Sequence, residues 1–372
     1  GLLHSQEDIV RMRSAVGKGE GAIYDGFEVL TDSLFSKADY RMRGPVEEWG
    51  RAPNKNTGQA QDDARGAYQN ALMWAITGKK SHAIKAIEII NAWSGKLKKV
   101  SGIDGVLASG LQGFQFANAA ELIRYTDSGW TEAEARRCEA SFKKAWLPTI
   151  EHYAYFANGN WETAALQTKM AIAVFCNDRG LFEETIRYAV NGCGNGSIPH
   201  MIVYPTGQCQ ETTRAQHYAQ LGLGLLTGAA EIAWQQGIDL YGWNDNLILK
   251  GHEYTAQYGL GQNVPYQHYL DRTGKYGLGG RNNHYTKIST VSRGSFWPIF
   301  ERPYQHYTKR RGVAAPYSGS VVKKKRPEGH SSDHIGLGTL SHFRPKIVAM
   351  KPKRAPGVPS GLVARSTEQG IR

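Results

Sequence analysis

The chain of 372 residues contains no apolar run near the roughly 20 residues that a membrane helix requires, so a spanning segment is not expected. Cysteine is scarce: Cys138, Cys176, Cys193 and Cys209, with no CxxC pair and no histidine at ligand spacing from them. A structural zinc site is therefore not expected, and neither is another metal or a cofactor. GxGxxG before a helix, GxxxxGK[ST], HExxH and GxSxG are all missing, which removes support for nucleotide, zinc-protease and nucleophile-elbow chemistry. Acidic residues are the scarcer charge, 33 against 45 Lys and Arg, leaving +12 at pH 7. Glycine is plentiful at 43, and so is aromatic surface, with 19 Tyr and 9 Trp. At 41% hydrophobic and 21% charged the chain has the composition of a packed globular protein rather than a disordered one. A basic, tyrosine-rich chain suits an acidic partner with flat faces, either a nucleic acid or an anionic polysaccharide. The basic residues are scattered, and the clustered ones lie late in the chain, as in Lys323–Arg326, so nucleic acid is the poorer fit.

From Gln59 onward the periodicity is helical. Ala60–Thr77 carries an i, i+3, i+4, i+7 apolar stripe closed by Gly78 as a C-cap. A partner helix runs from Ser81 to Trp93, and another covers Leu111–Tyr125. The next opens on a capping box, Thr131 with Glu134. Trp161–Phe175, Leu181–Asn191, Gln210–Gln236, Asn244–Tyr258 and Phe296–Tyr307 follow, separated by short glycine turns. No strand alternation of any length precedes residue 310, and Val313–Pro352 reads as loops with a short strand at most. Unequal antiparallel hairpins of this kind predict an all-α incomplete (α/α) toroid with a central cleft, formed by residues 1–350 as one domain. Cys138 and Cys176 fall in helices and read as core, whereas Cys193 and Cys209 bracket a glycine-rich loop and are the pair able to bridge in an oxidising compartment.

Three constellations carry chemistry. In Ala157-Asn158-Gly159-Asn160-Trp161-Glu162, Asn160 reads as an N-cap, and an amide beside an indole at a helix N-terminus suits a carboxylate and a sugar ring. In Tyr204–Gln220, the residues Gln210, Glu211, Arg214, His217 and Tyr218 are expected on one face of the opening turns of a long helix. That helix turns almost wholly apolar beyond Leu221, so the polar face is expected to line a cleft. The third set is Arg281-Asn282-Asn283-His284-Tyr285, with Tyr266, His268, Tyr269 and Arg272 before it and Tyr304, His306 and Tyr307 after it.

Asn158–Trp161, Gln208–Arg214 and Ala230–Tyr241, with Gly251–Tyr254 and Val264–Tyr266, resemble the alginate lyase superfamily over Leu3 to about Ser341. The similarity is greatest to polysaccharide lyase family 38 and more distant to family 5. It implies metal-independent β-elimination on 1,4-linked uronic acid polymers, mannuronan-type alginate or glucuronan; separately, the chain is expected to be a monomer that binds neither nucleic acid nor membrane. The resemblance further implies Asn160 and Arg214 as the groups that neutralise the C6 carboxylate, with Asn158 or Gln216 assisting, and His217 and Tyr218 as the acid–base pair. Trp161, Gln210, Glu211, Tyr269, His284 and Tyr285 complete the substrate contacts. Family 5 lyases carry a His directly after the motif Asn, where this chain has Trp161. The base is therefore open among His217, Tyr218, Tyr269 and Tyr285. A non-catalytic polysaccharide-binding toroid is the alternative reading. Residues 351–372 run through a Pro/Gly linker into Pro359-Ser360-Gly361-Leu362-Val363-Ala364, which resembles the opening strand of a fibronectin type III module; an unstructured tail is the other reading. With no Met or apolar leader at Gly1, the chain reads as a trimmed part of a longer modular protein, secreted or periplasmic.

Overall fold

In a computed structural model of the chain, which describes residues 1–268, 287–348 and 350, the architecture is the expected toroid of helix hairpins. Four long helices form its inner ring: α3 (Thr57–Thr77), α5 (Gly105–Arg124), α8 (Gly159–Phe175) and α11 (Gln216–Gln235). α5 packs on α3 and α8, and α8 packs in turn on α11. They run parallel: Gly110 meets Ala164 and Gly113 meets Thr168, Gly222 lies by Asn160 and Gly228 by Gln167, and the chain ahead of α3 pairs with that ahead of α5 while Trp74 near the end of α3 donates to Thr126 just past α5. Their N-termini therefore gather at one end. Outer helices return the chain between them: α4 (Lys80–Lys96) beside α3, α6 (Glu132–Ser141) beside α4, and α9 (Arg179–Asn191) beside α8.

Burial separates the two layers. Of the twenty residues of α5 eighteen are buried, against five of the thirteen in α9. Ala, Gly, Ser and Thr on α5 and α8 let the inner helices approach closely. A Cβ at Gly110 would lie about 2.5 Å from the Ala164 backbone. Gly110→Ala is expected to cost about 1–3 kcal/mol in stability by overpacking this contact, read as a fall in denaturation midpoint.

Gly78 ends α3 in the left-handed region, at φ 68°, and the Thr131–Glu134 capping box opens α6. Three elements lie outside the expected pattern: α1 (Gln6–Lys18), which opens on its own capping box, Ser5 with Asp8; α2 (Ala22–Asp32); and a short parallel pair, β1 (Glu48–Gly50) with β2 (Lys99–Ser101), which ties the chain ahead of α3 to the chain ahead of α5. The C-terminal part is more helical than expected. Val313–Pro352 holds α14 (Pro316–Lys325) and α15 (Gly338–His342), and no strand among its described residues. The helix expected from Phe296 begins only at Glu301 (α13, Glu301–Gln305), because Pro298 disfavours helical backbone just before it.

The segment from Phe296 to Phe343 enters the toroid. His334 lies against Gly224 of α11, and Gln112 and Gln115 of α5 donate to the Ser332 carbonyl at 3.1 and 2.9 Å. All four cysteines are free. Cys209 is buried beside Thr255, while Cys193 is exposed beside Tyr188, and the two do not bridge. No described helix is long and apolar enough to cross a membrane. The segment 351–372, with its fibronectin-like stretch, lies outside the described residues.

Candidate active site

The helix expected over Gln210–Gln236 begins at Gln216. Residues 210–215 instead form a turn that folds back on α8. Side-chain bonds hold it there: Gln210 Oε1 accepts from the Gly159 N–H and Glu211 Oε1 from the Asn160 N–H, both at 3.0 Å. Gln210 Nε2 also donates to Asn158 Oδ1 at 3.1 Å. The β-branched pair Thr212-Thr213 further weakens helix here. So Gln210, Glu211 and Arg214 do not share a helix face with His217 and Tyr218; the turn brings them to the same place by another route.

α8 starts at Gly159 with Asn158 as its N-cap, where Asn160 was expected. Two of its first N–H groups are already satisfied by Gln210 and Glu211, which changes what this helix end can do: it does not present those groups to a ligand. Glu211 is 0% exposed and takes Asn160 Nδ2 at 3.4 Å and Arg214 Nη1 at 2.6 Å on its second oxygen. Burial pushes the Glu211 carboxyl up, opposed by the Arg214 guanidinium and the Asn160 N–H. Asn160 is 1% exposed, and its Oδ1 has no partner among the described residues. The Arg214 side chain is 23% exposed, so it is the member of this set that reaches open space.

Arg214 carries the geometry forward. Its guanidinium lies over the Tyr218 ring at 3.9 Å, and the His217 ring centroid is 4.1 Å from that of Tyr218. Arg214, His217 and Tyr218 are each half-buried. Neither the Tyr218 hydroxyl nor His217 Nε2 makes a hydrogen bond to a described residue, while His217 Nδ1 meets Ser292 Oγ at 2.9 Å. Burial, then Arg214, lowers the His217 pKa below its ordinary 6.5, which keeps the imidazole neutral at neutral pH. Gln216 is buried, with its amide donating to the Thr212 and Ser289 carbonyls at 3.0 and 2.9 Å. It therefore clasps the segment 287–297 to α11.

The floor is a small apolar cluster apart from the main core: Leu107 and Leu111 of α5, Ala164 of α8, and Leu221 and Leu225 of α11. Trp161 and Trp297 both pack against it. All five floor residues sit in the first halves of their helices, which places the floor at the N-terminal mouth of the ring. Trp297 also stacks on His217 with centroids 6.3 Å apart, and Phe156 meets Trp161 edge-on.

Trp297 and Ser292 escaped the sequence reading. Trp297 was hidden in an expected helix, and Ser292 lies in a stretch without pattern. Of the third constellation, His306 and Tyr307 are buried in the core, Tyr307 donating to the Tyr241 carbonyl at 2.8 Å, and Tyr304 faces Arg326. Tyr266 and His268 lie on the chain beyond α12 (Trp243–Gly259). Tyr269, Arg272, Arg281–Asn283, His284 and Tyr285 lie outside the described residues.

No curated protein sequence matches the chain. Among solved structures, alginate lyase A1-III from Sphingomonas species A1 is similar at 15% identity and TM-score 0.64, covering 91% of this chain and 95% of that one. A histidine-to-alanine variant of A1-III, complexed with a tetrasaccharide, matches at 15% identity and TM-score 0.64, over 91% and 94% of the two chains. An alginate lyase from Bacteroides ovatus matches at 14% identity and TM-score 0.54, over 69% and 83%. These likenesses speak for the toroid. The family model described as alginate lyase matches residues 36–264, more than half of the chain and inclusive of Asn158 through Tyr218, and on that match the chain belongs to the alginate lyase family.

Proposed function

We propose that the protein is a lyase that cleaves 1,4-linked uronic acid polymers, mannuronan-type alginate or glucuronan, by β-elimination. Family membership supports polysaccharide lyase activity in general. The observation that carries the finer reading is the cluster of Arg214, Tyr218 and His217, half-buried and in mutual contact, with the phenol hydroxyl and Nε2 unclaimed by any described residue.

Elimination requires that the C6 carboxylate be neutralised, so that the C5 proton becomes acidic as enolate charge develops. Arg214 suits this task. Glu211 and Asn160 are too buried to touch a sugar and act behind it as positioning residues, together with Gln210 and Asn158. The base takes the C5 proton, the C5–H electron pair forms the C4=C5 double bond, and the C4–O4 bond breaks as O4 is protonated. A neutral imidazole whose Nε2 bonds no described residue fits the base, and the Tyr218 phenol fits the acid. The imidazolium then gives up its proton and the phenolate regains one through solvent, which resets the site. Trp161 and Trp297 offer flat faces for pyranose rings on either side. Residues 1–350 would form the catalytic unit of a secreted or periplasmic protein, with the following stretch as a linker to a further module.

An assay for the unsaturated product against polymannuronate, polyguluronate, glucuronan and hyaluronan tests this. Product from at least one of the first three is expected; none from any of them between pH 5 and 10 would leave a binding toroid as the better reading. The acid limb of kcat/KM is expected to have its midpoint below 6.5, since protonation of His217 removes the base and its pKa is lowered. A profile still climbing through pH 8 would exclude His217 from that role.

A further inference from the structure

We propose that Ser292 is a positioning residue that fixes the His217 imidazole in one tautomer and one orientation, with Nε2 presented to the cleft. The inference rests on the reading of His217 as part of the acid–base pair. Its first support is the 2.9 Å contact between Ser292 Oγ and His217 Nδ1, the one hydrogen bond that hydroxyl makes among the described residues. The contact stops the ring from turning over; the hydroxyl could donate or accept, and the base reading decides between them, because a proton-free Nε2 requires Nδ1–H donating to Ser292 Oγ. The other contacts of the ring, with Tyr218 and Trp297, are face contacts that tolerate either tautomer.

The second support is conformational. Ser292 sits at φ 62°, in the left-handed region that an L side chain other than Asn or Asp seldom adopts. Its neighbour Val291 is exposed, so no core demands this turn. Glycine would satisfy the backbone more cheaply, and the hydroxyl is what glycine lacks. A strained residue persists only where its surroundings over-determine it.

Here they do, and from the same helix as His217. The Gln216 N–H donates to the Val291 carbonyl at 3.0 Å and the Gln216 side chain to the Ser289 carbonyl at 2.9 Å. Gln220, one turn on, donates to the Ser295 carbonyl at 2.8 Å and accepts from the Trp297 N–H at 2.9 Å. Arg293 Nε ties the next residue to the Tyr258 carbonyl at 2.9 Å. Gln216 and Gln220 thus bracket His217 along α11 and pin the segment that carries Ser292. The imidazole and the hydroxyl are held to one frame.

The test compares wild type, Ser292→Gly, Ser292→Asn and His217→Gln in the full chain, by kinetics on the polyuronate, thermal melting, and imidazole nitrogen NMR with 15N-labelled histidine. The His217→Gln spectrum identifies the His217 signals. In wild type these should show a single tautomer, and in Ser292→Gly an average of the two. Ser292→Gly should melt at or above the wild-type temperature, because the backbone strain is relieved, yet lose about tenfold in kcat with KM within about twofold. Ser292→Asn, which tolerates the backbone and keeps a polar atom, should recover part of that loss. A Gly variant with wild-type kcat, or with the wild-type tautomer signature, would overturn the proposal. The NMR arm separates this from a failure of the lyase reading: an inactive wild type whose His217 tautomer still depends on Ser292 counts against the reaction and for the positioning.

Discussion

Tyr218→Phe is expected to lower kcat by about 10³-fold, with KM within a few-fold, because it deletes the group assigned to protonate O4. The melting temperature should stay near wild type. The phenol hydroxyl makes no hydrogen bond within the described residues, and the ring contacts with Arg214 and His217 survive in phenylalanine. That combination makes the variant diagnostic. A structural tyrosine would show the reverse, lost stability with activity following it. Initial rates of unsaturated product at saturating polyuronate, alongside a thermal melt, decide the matter. A variant within tenfold of wild-type kcat would remove Tyr218 from the acid role.

Arg214→Ala should be nearly as damaging to turnover, about 10²–10³-fold in kcat/KM, since the charge that stabilises the enolate is gone. It should also unsettle the fold. Removing one partner of a buried ion pair strands the other, and here Glu211 would remain fully buried without its guanidinium. Complete burial of such a pair costs about 3–5 kcal/mol when broken; with Arg214 partly exposed, about 2 kcal/mol is expected. The double variant Arg214→Ala/Glu211→Gln separates the two effects. Neutralising Glu211 should return much of the lost stability while leaving activity at the Arg214→Ala level. If the double variant regains turnover, Arg214 serves only the fold, and the carboxylate is met by another group.

α3 and α6 were legible because each carries clear punctuation, Gly78 ending α3 and the Thr131–Glu134 capping box opening α6. Residues 210–215 were not. Their spacing alone fits a helix face, and the decisive partners, the N–H groups of Gly159 and Asn160, lie fifty-one residues earlier in the chain. The same long-range bonds turned Glu211 from an expected substrate contact into a buried brace. His217 and Tyr218 were picked out correctly as neighbours, since one residue apart on any backbone keeps them close. Ser292 and Trp297 join the site from a loop about seventy-five residues away, and no local pattern marks them. α1 went unread although its Ser5–Asp8 box is present, because its apolar stripe is thin: only Asp8, Ile9 and Met12 are buried.

The parallel run of α3, α5, α8 and α11 has an electrostatic corollary. Each aligned helix carries a macrodipole equivalent to about half a positive charge at its N-terminus. Three of these ends, of α5, α8 and α11, meet at the mouth where the two tryptophans stand; Gln210 and Glu211 already take up the first N–H groups of α8, so the backbone's positive contribution to that rim comes mainly from α5 and α11. Focused by the apolar floor beneath, this fixed field would draw a polyanion inward even where the surface cations are paired, as Lys55 is with Glu48 and Lys96 with Glu47. A chain built of antiparallel inner helices would have cancelled it.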